Sequence, residues 1–550
     1  MSNEYTPLEM LYRWEKQKPD VVFLRQPVAG IWNEFTWSRV AHEVRSMATA
    51  LQKLGVERGD RIAICSKNSA HWILADLAIM LTGGVSVPVY AHQQPESLNY
   101  ILEHSSCKAI FLGKLDDGAL IAKGIPQGLP RIGFPYELNI DVDYGWDDLV
   151  ASHDAMVDSP VPDMQDIFTI IYTSGTTGLP KGVVHTYRAA SYAASNTIAE
   201  FEITARERMV SFLPLSHVAE RFMVELCSLY ACGRIAFVES LDTFAQNIQD
   251  VQPTMFFAVP RLWVKFQMGI LAKMPEKRLS LLLKVPVVGS LIRRKIKKGL
   301  GLSRARYIIS GAAPLAEPVI TWFAKLGIHI QEGYGLTENF AYGTINRKES
   351  ITIGSVGVPM RGTELALSDE GEILFRSPCV MQSYFLEPEK TAEVLTAEGY
   401  LRSGDKGALL PGGQLKITGR VKEIFKTSKG KYVAPATIEG LLSENTHFEQ
   451  ICVMGSGMNA PVGLVVLSDL ARGFDRLSLS RQFEGTLQKV NSKLEAHEKM
   501  SRLIVVKDPW TVEGGLMTPT MKIKRHLIEE RYLEVISKSS SETEAVYWEN

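Results

Sequence analysis

The chain has 550 residues, with 60 lysines and arginines against 61 aspartates and glutamates, so its formal net charge is −1. This even balance excludes the overall basic charge that is typical of nucleic-acid-binding proteins. Hydrophobic residues make up 45% of the chain and charged residues 22%, a composition that excludes a largely disordered protein. At about 150 residues per domain, the length is enough for three or four folded units.

Apolar runs of strand length alternate with helical patterns before residue 419, which predicts an α/β body with wound sheets. The pattern predicts a helix over 70–81 and strands over 61–65, 85–89, 108–112, 167–172, 209–213, 255–259, 307–310 and 328–331. Short hairpin-like segments follow from about Gly371, and a new α+β pattern begins after Arg420. We predict a large N-terminal domain over 1–418, a connecting segment over 419–422, a small C-terminal domain over 423–536 and a frayed tail over 537–550.

Three features favour a cytoplasmic protein. The first residues lack a basic segment followed by an apolar run, so no signal peptide is predicted. The most apolar stretch, residues 72–90, is interrupted by Asp76, by Gly83 and Gly84 and by Pro88, which favours a buried helix and strand over a membrane span. The six cysteines are scattered and form no CxxC pair, which argues against a zinc site or a disulfide framework.

Residues 172–182 read Tyr-Thr-Ser-Gly-Thr-Thr-Gly-Leu-Pro-Lys-Gly and lie between two strand-like runs. Small residues let backbone N–H groups approach a polyphosphate, hydroxyls can donate to its oxygens, and a lysine supplies positive charge. The motif is not a Walker A loop, because the GxxxxGK[ST] spacing is absent and a strand pattern follows it. We predict that it binds a polyphosphate through Thr173, Ser174, Gly175, Thr176, Thr177, Gly178 and Lys181.

This motif resembles the phosphate loop of the adenylate-forming superfamily, which includes acyl- and aryl-CoA synthetases, luciferases and the adenylation domains of peptide synthetases. Further matches extend to residue 525. The resemblance implies a ligase that uses ATP, Mg²⁺ and coenzyme A, with a small-molecule carboxylic acid as substrate. It also implies that residues 1–418 are an adenylation domain, 419–422 a hinge and 423–536 a mobile C-terminal domain. No nucleic acid is expected as a partner, because the charge balance is even.

The resemblance implies that residues 331–338, Gln-Glu-Gly-Tyr-Gly-Leu-Thr-Glu, form the centre of a nucleotide site. Tyr334 would present its ring to adenine, and the neighbouring glycines would free the backbone there. Thr337 would contact the α-phosphate, and Glu338 would hold Mg²⁺ together with Thr173. Residues 310–315, Ser-Gly-Ala-Ala-Pro-Leu, would form a wall shared by adenine and the acyl group. The nucleotide-binding residues implied by these two motifs are Gly311, Ala312, Ala313, Glu332, Gly333, Tyr334, Gly335 and Thr337.

Two later segments resemble the ribose site and the hinge of the family. In residues 400–405, Tyr-Leu-Arg-Ser-Gly-Asp, Asp405 would accept hydrogen bonds from the ribose hydroxyls, and Ser403 stands where the family more often has threonine. Arg420 would reach the ribose or a phosphate, and Lys422 would be the pivot of the hinge. After the C-terminal domain turns, the segment around Gly430 would meet coenzyme A.

The residues implied to act on the reacting groups are Lys181, Glu338, His217 and Lys522. His217 lies in residues 213–220, which resemble the histidine motif that lines the carboxylate side of the pocket. A histidine beside a serine can also be a core or capping residue, and no GxSxG elbow supports a serine hydrolase. Lys522 stands at the position of the mobile catalytic lysine, with Lys524 as the alternative.

The segment between Trp263 and Ser310 is predicted to be helical, apolar at 281–283 and strongly basic at 292–298. Its position resembles the insert of long-chain fatty acyl-CoA synthetases, which implies a fatty acid–CoA ligase with a long-chain substrate. Residues 281–298 can bind an anionic membrane surface peripherally or form an exposed helix with a solvated face. The other hypotheses are an aryl- or medium-chain acid CoA ligase, an acyl-AMP ligase that loads a carrier protein, and an inactive relative.

Overall fold

The fold is seen in a computed structural model, which describes residues 5–173, 179–512, 514–518, 522–540, 542 and 544–549. A large N-terminal body of several mixed sheets with flanking helices is followed, after about residue 420, by a smaller unit with its own sheet and helices. The predicted fold class, an α/β body with a small α+β C-terminal domain, is confirmed.

The central sheet of the body has eight strands and is mostly parallel. In spatial order its strands are Ser383–Tyr384, Lys181–Thr186, Ile167–Thr173, Val85–Val89, Arg61–Cys65, Cys107–Leu112, Arg131–Gly133 and Tyr144–Gly145. The middle strands are apolar throughout because helices cover both faces of a parallel sheet. The antiparallel pair Ile167–Thr173 and Lys181–Thr186 carries the predicted phosphate loop at its turn.

Three smaller sheets complete the body. The first contains Arg208–Ser211, Arg234–Phe237, Val22–Val28 and Ile31–Thr36, and the second contains Met255–Ala258, Tyr307–Ser310, Gln331–Tyr334, Thr344–Ile345 and Val358–Pro359. The third is antiparallel and contains Glu364–Leu367, Glu372–Arg376, Leu401–Leu410 and Gln414–Arg420. Its last strand leads directly into the C-terminal unit.

The predicted helix over 70–81 is confirmed as Ala70–Leu81, and all of its residues are buried. A helix that is apolar on every side is stable only inside a core. The α-helices of the body are Pro7–Gln17, Trp37–Lys53, Ala70–Leu81, Pro95–His104, Gly118–Lys123, Trp146–Ser152, Tyr187–Glu200, Val218–Glu220, Cys227–Ala231, Phe244–Val251, Pro260–Lys273, Glu276–Leu283, Pro286–Gly299, Glu317–Lys325 and Pro388–Val394. In the part of the chain that the structure describes, no helix has the length and apolar character needed to span a bilayer.

The prediction of a strand over 328–331 is wrong, because the strand is Gln331–Tyr334. Ile328 and Ile330 are buried and produce the apolar pattern, but pairing with the neighbouring strand begins only where Gln331 lies opposite Ile309. The buried apolar residues therefore precede the paired strand in the chain. As a result, the first residues of the predicted nucleotide motif, from Gln331 to Tyr334, form the strand.

A buried ion pair connects the central sheet to the histidine motif. The guanidinium of Arg221, in the π-helix Arg221–Leu226, donates to both carboxylate oxygens of Asp76 at 2.6 Å. It also donates to the hydroxyl of Thr169 at 2.7 Å and to that of Ser86 at 2.9 Å. All four side chains are buried. The strand that leads into the phosphate loop is thus fixed to the segment that follows His217.

In its described residues, the C-terminal unit has a four-stranded sheet, a two-stranded hairpin and three α-helices. Its strands are Phe425–Lys426, Tyr432–Val433, Phe448–Met454, Val462–Leu467, Arg502–Val506 and Val546–Trp548, and its α-helices are Pro435–Leu442, Arg476–Asn491 and Arg525–Ser540. Within the tail predicted to be frayed, residues 546–548 form a strand. The last strand pairs in parallel with Arg502–Val506, and the Trp548 indole donates to the Ser480 hydroxyl at 2.8 Å. The serine-rich composition of the tail concealed one short strand, in which Val546 is buried.

Val546→Ala tests whether this tail belongs to the folded unit. Val546 is 2% exposed, so we expect the substitution to lower the free energy of unfolding of the C-terminal unit by about 2 kcal/mol. Hydrogen exchange of the full chain, monitored at strand Arg502–Val506, measures this change. Glu544→Ala, at an exposed position, is the control. Equal amide protection in both variants would contradict the burial of the tail.

Candidate functional site

A cleft of about 3150 Å³ lies between the N-terminal body and the C-terminal unit. Strand ends and loops of the body form most of its wall, as expected for ligand sites in wound α/β sheets. The predicted site residues that line it are Thr173, Lys181, His217, Gly311, Ala312, Ala313, Glu332, Gly333, Tyr334, Gly335, Thr337, Glu338, Asp405, Arg420 and Lys522. Residues from motifs more than three hundred positions apart in the chain therefore share one cleft.

The remaining predicted residues lie elsewhere. Ser174, Gly175, Thr176, Thr177 and Gly178 lie outside the described residues. Lys422 is exposed in the turn that follows strand Gln414–Arg420, and Gly430 occupies the turn of the small hairpin with φ of +77°. Neither Lys422 nor Gly430 is among the described residues that line the cleft. Their roles as pivot and coenzyme A contact stay predictions.

Both ends of the phosphate loop are fixed at the edge of the cleft. Thr173 and Lys181 lie opposite each other in the antiparallel pair. The ammonium of Lys181 lies 4.8 Å from the centre of the Tyr384 ring, and the Tyr384 hydroxyl donates to Oε1 of Glu338 at 2.8 Å. Tyr384 therefore connects the lysine of the loop to the carboxylate predicted to bind metal.

Thr337 and Glu338 lie in a short 3₁₀ turn, Thr337–Asn339. Nε2 of His185 donates to the Thr337 carbonyl at 2.6 Å, and burial lowers the pKa of His185 to about 4. The imidazole is therefore neutral near pH 7 and acts as a fixed hydrogen-bond donor. It holds the turn in place without adding charge to the site.

The Glu338 carboxylate and the Thr173 hydroxyl are hard oxygen donors of the kind that Mg²⁺ prefers. Both line the cleft. Among the described residues, no group of three or more His, Cys, Asp or Glu side chains could hold a metal ion by itself. This donor set fits an ion that takes its remaining ligands from water and substrate phosphates, which is how Mg²⁺ is usually held in phosphoryl-transfer enzymes.

The ribose motif and the tyrosine motif are joined by hydrogen bonds. The Tyr334 hydroxyl donates to Oδ2 of Asp405 at 2.6 Å, and Nε of Arg420 donates to Oδ1 at 3.1 Å. Burial and the Asp405 carboxylate raise the pKa of Tyr334, so this phenol stays protonated. The arrangement gathers a carboxylate, a guanidinium and an aromatic ring on one wall.

The prediction that the glycines beside Tyr334 are there to free the backbone is wrong. Neither Gly333 nor Gly335 has a positive φ, so free backbone rotation is not required at either position. A Cβ atom at Gly335 would lie 2.6 Å from the backbone of Ala341. Glycine is needed there because two chain segments approach closely, which brings the turn containing Glu338 back against the strand.

Lys522 lines the cleft from a hairpin of the C-terminal unit, in which Met517 pairs with Ile523 in an antiparallel bridge; residues 519–521 lie outside the described residues. The backbone N–H of Lys522 donates to the Thr518 hydroxyl at 3.1 Å, and its carbonyl accepts from the Thr518 N–H at 2.7 Å.

Although Lys522 as a whole is exposed, partial desolvation among the walls of the cleft, followed by the charge of Arg420, lowers its pKa, and the carboxylates of Asp405 and Glu338 oppose this shift. The ammonium therefore lies within electrostatic reach of both halves of the nucleotide wall.

His217 belongs to the same group of interacting residues. Burial lowers the pKa of His217 to about 4, and the positive charge of Lys522 adds to the shift. One ring nitrogen accepts from the Ala219 N–H at 3.2 Å. The neutral histidine thus caps the following helix and also lines the cleft close to the lysine. Lys524, the alternative catalytic lysine, lines the cleft as well.

An arginine directly after this hairpin anchors it. Nη1 of Arg525 donates to Oε1 of Glu439 at 2.5 Å and to the carbonyl of Val453 at 2.7 Å. Nη2 of the same side chain donates to Oε2 of Glu423 at 3.4 Å. Oε1 of Glu423 lies 3.7 Å from Nη1 of Arg420. The hinge segment and the hairpin that carries Lys522 are therefore connected through one carboxylate.

Sequence reasoning missed Tyr384, Glu423, Arg525 and Glu220. Glu220 lines the cleft three residues after His217, and one of its oxygens accepts from the Phe212 N–H at 3.0 Å. Burial raises the pKa of Glu220 to about 8. The sequence signal for Glu220 was the presence of a carboxylate in an otherwise apolar motif. Tyr384 had no local signal, because only the pairing of its strand with Lys181–Thr186 brings it to the site.

The sequence matches two family models, described as "AMP-binding enzyme" over residues 11–385 and "AMP-binding enzyme C-terminal domain" over residues 422–544. The long-chain-fatty-acid–CoA ligase FadD15 of Mycobacterium bovis is 28% identical over an alignment of 591 positions, gaps included. The alignment covers 98% of this chain and 96% of the relative. The peroxisomal long chain acyl-CoA synthetase 7 of Arabidopsis thaliana is 29% identical, with 94% of this chain and 83% of the relative covered.

The fold is similar to that of the anthranilate CoA ligase AuaEII, solved in complex with anthranoyl-AMP. The TM-score is 0.81 at 20% identity, and the match covers 98% of this chain and 99% of that one. At this identity the likeness establishes the fold alone. The first family model by itself matches more than half of the sequence. The chain therefore belongs to the AMP-binding enzyme family, the adenylate-forming superfamily whose motifs it carries.

Proposed function

We propose that this protein is an ATP-dependent fatty acid–CoA ligase, which makes acyl-CoA, AMP and pyrophosphate through an acyl-adenylate intermediate. The observation that carries the proposal is the meeting of Glu338, Asp405 and Lys522 in one cleft between the two units. These residues supply a metal ligand, a hydrogen-bond acceptor suited to ribose hydroxyls, and a mobile positive charge. The six free cysteines, five of them buried, favour action in the reducing cytoplasm.

In the first half-reaction, a carboxylate oxygen of the acid attacks the α-phosphorus of ATP. The bond from that phosphorus to the oxygen bridging the α- and β-phosphates breaks, and pyrophosphate leaves. Because negative charge grows on phosphate oxygens, positioning and charge stabilisation govern the rate. Lys181, Lys522 and the Thr337 hydroxyl would face this charge. Mg²⁺ held by Glu338 and Thr173 would supply further positive charge.

The end of the cleft around His217 suits a substrate carboxylate. Burial lowers the pKa of His217 to about 4 and raises that of Glu220 to about 8, so both side chains are neutral near pH 7. A neutral Glu220 does not repel the incoming carboxylate, and a neutral His217 leaves it nucleophilic. The ammonium of Lys522 supplies the attraction that orients the acid.

In the second half-reaction, the thiol sulfur of coenzyme A attacks the carbonyl carbon of the acyl adenylate. The bond from that carbon to the phosphate oxygen breaks, AMP leaves, and the thiol proton passes to solvent. We propose that Lys522 leaves the cleft for this step by rotation near Lys422, so that the segment around Gly430 meets coenzyme A. The predicted domain boundaries at 418 and 423 are compatible with this division between a fixed and a moving unit.

A long apolar acid suits the apolar side chains of the cleft wall. The apolar side chains that line it include Phe212, Met223, Phe244, Phe257, Val264 and Met268. Each CH₂ group buried against such a wall contributes about 0.8 kcal/mol, so affinity should rise with chain length until the space is filled. The long-chain relatives support this choice of substrate.

A substrate and acceptor panel tests the proposal. We expect kcat/KM with coenzyme A to rise from hexanoate to dodecanoate and palmitate, and to be lowest for a cinnamate. A preference for the cinnamate would contradict the choice and favour an aryl-acid ligase. If a carrier protein accepts the acyl group and coenzyme A does not, the protein is an acyl-AMP ligase that loads carriers.

A further inference from the structure

The contact between the N-terminal body and the C-terminal unit is held by polar groups. Within the described residues, none of the clusters of packed apolar side chains contains members of both units. Two domains that share no large apolar interface are expected to move relative to each other. The arrangement seen here therefore depends on polar contacts. One of these, the hydrogen bond from the Thr437 hydroxyl to the Thr418 carbonyl at 3.3 Å, lies beside the hinge.

The second polar contact is an ion pair between distant parts of the chain. Nη2 of Arg261, in helix Pro260–Lys273 of the body, donates to Oε1 of Glu449 at 2.5 Å. Glu449 lies in strand Phe448–Met454 of the C-terminal unit. In the part of the chain that the structure describes, no other salt bridge joins a residue before 419 to a residue after 422.

The strand that carries Glu449 is fixed to the segment before the Lys522 hairpin. The side-chain amide of Gln450, the next residue along the strand, donates to the Trp510 carbonyl at 2.8 Å. The same amide accepts from the Trp510 N–H at 2.8 Å. This pair of hydrogen bonds fixes the strand to the chain that enters the hairpin.

The same strand is also fixed to the segment after the hairpin. The Val453 carbonyl accepts from Nη1 of Arg525 at 2.7 Å. The chain is therefore held against one strand on both sides of the hairpin that carries Lys522. A movement of Glu449 away from the body moves Lys522 with it.

The exposure of the ion pair limits its strength. The side chains of Arg261 and Glu449 are 45% and 35% exposed, and a pair this exposed shifts an equilibrium by about fivefold or less. Lys265 lies one turn further along the same side of the helix and also lines the cleft. A contact of this strength can favour one arrangement of the units and still break in every catalytic cycle.

We propose that the Arg261–Glu449 ion pair is an electrostatic latch, which places Lys522 in the cleft and opens when the C-terminal unit turns away. Arg261 and Glu449 are positioning residues, because they act through Lys522. The latch stands on the contacts between the units, and only its effect on catalysis rests on the proposed function. We call the arrangement with the ion pair formed closed and the arrangement with it broken open.

Double electron–electron resonance between two spin labels measures the latch without substrates. Labels on Val157→Cys and Leu477→Cys, at positions 94% and 63% exposed, report the separation of the two units in the full-length protein. Glu449→Gln should raise the ratio of open to closed molecules about two- to fivefold. Glu449→Lys, which sets a cation against Arg261, should raise it about tenfold.

A charge change elsewhere on the C-terminal unit and a change of salt are the controls. Glu530→Lys, at an exposed position of helix Arg525–Ser540, changes the net charge equally and should leave the distances unchanged. Raising the salt concentration from about 0.05 M to about 0.5 M should open the unchanged protein, because screening weakens exposed ion pairs. The same increase should have little effect on Glu449→Gln.

A double charge reversal tests whether the two side chains act on each other. Arg261→Glu and Glu449→Arg should each open the units, and the double variant should return the ratio to within about threefold of the unchanged protein. Failure of this rescue would overturn the latch. Equal distances in Glu449→Lys and Glu530→Lys would overturn it as well.

The two half-reactions connect the latch to catalysis. Glu449→Lys should lower the rate of acyl-adenylate formation by the factor by which the closed population falls, and should not slow thioester formation from supplied acyl adenylate. If Arg261→Gln raises KM for ATP or coenzyme A and Glu449→Gln does not, Arg261 binds a phosphate and the proposal is wrong. A latch in a protein without ligase activity would refute the proposed function alone. Ligase activity with distances that no variant changes would refute the latch alone.

Discussion

Lys522→Ala is expected to lower the rate of acyl-adenylate formation by about 10²–10³-fold, the range found when one preorganised donor to a developing negative charge is removed. The Lys522 ammonium lies within electrostatic reach of Glu338, Asp405 and Arg420, where the phosphates of ATP would be bound. Formation of the thioester from supplied acyl adenylate should change less than about threefold, because the lysine is proposed to have left the cleft by then.

The two half-reactions are measured separately, by pyrophosphate release with ATP and acid, and by acyl-CoA formation from synthetic acyl adenylate. Lys524→Ala is the matched control, because Lys524 lies on the same hairpin and also lines the cleft. Equal losses in both half-reactions for Lys522→Ala would contradict its assignment. A selective loss of adenylation in Lys524→Ala would transfer the role to that residue.

Glu338→Gln is expected to lower the rate of adenylate formation by about 10²-fold at low Mg²⁺ and to raise the Mg²⁺ concentration needed for half-maximal rate. The substitution removes the negative charge of the only carboxylate assigned to the ion, while the amide keeps nearly the same shape. A titration of the initial rate against Mg²⁺ at saturating ATP measures both effects.

Tyr384→Phe is the control variant for Glu338→Gln. The phenyl ring keeps the contact with Lys181, and the carboxylate stays in place, but the hydrogen bond to Oε1 of Glu338 is lost. We expect a loss of about tenfold or less, in keeping with a hydrogen bond to a charged group, with an unchanged Mg²⁺ requirement. A Glu338→Gln variant that needs no more Mg²⁺ than the unchanged protein would contradict the metal assignment.

Much of the fold follows from local sequence patterns. Helix Ala70–Leu81 and strands Arg61–Cys65, Val85–Val89 and Tyr307–Ser310 have the predicted boundaries, because in each the apolar run ends at polar or turn-forming residues. The pattern failed at 328–331, where burial precedes strand pairing, and at Val546–Trp548, where the strand is only three residues long. Short elements depend on distant partners, so local periodicity does not reveal them.

Some residues of the site were predictable from the sequence, and others were not. The resemblance of four motifs to those of the family predicted Tyr334, Glu338, Asp405 and Lys522, and all four line the cleft. Residues that position these groups were not predictable, because their contacts join distant parts of the chain. Arg525, for example, contacts Glu439 and Glu423 across 86 and 102 residues. Glu439 lies in no predicted motif, and the resemblance at the hinge assigned no role to Glu423.

The exchange of labelled pyrophosphate into ATP tests the central claim most directly, because it reports acyl-adenylate formation without any acceptor. With purified protein, Mg²⁺ and ATP, we predict rapid exchange that depends on added palmitate, occurs without coenzyme A, and is lost in Lys522→Ala. If no fatty or aromatic acid supports exchange, the cleft does not join a carboxylate to the α-phosphate of ATP, and the proposed function is wrong.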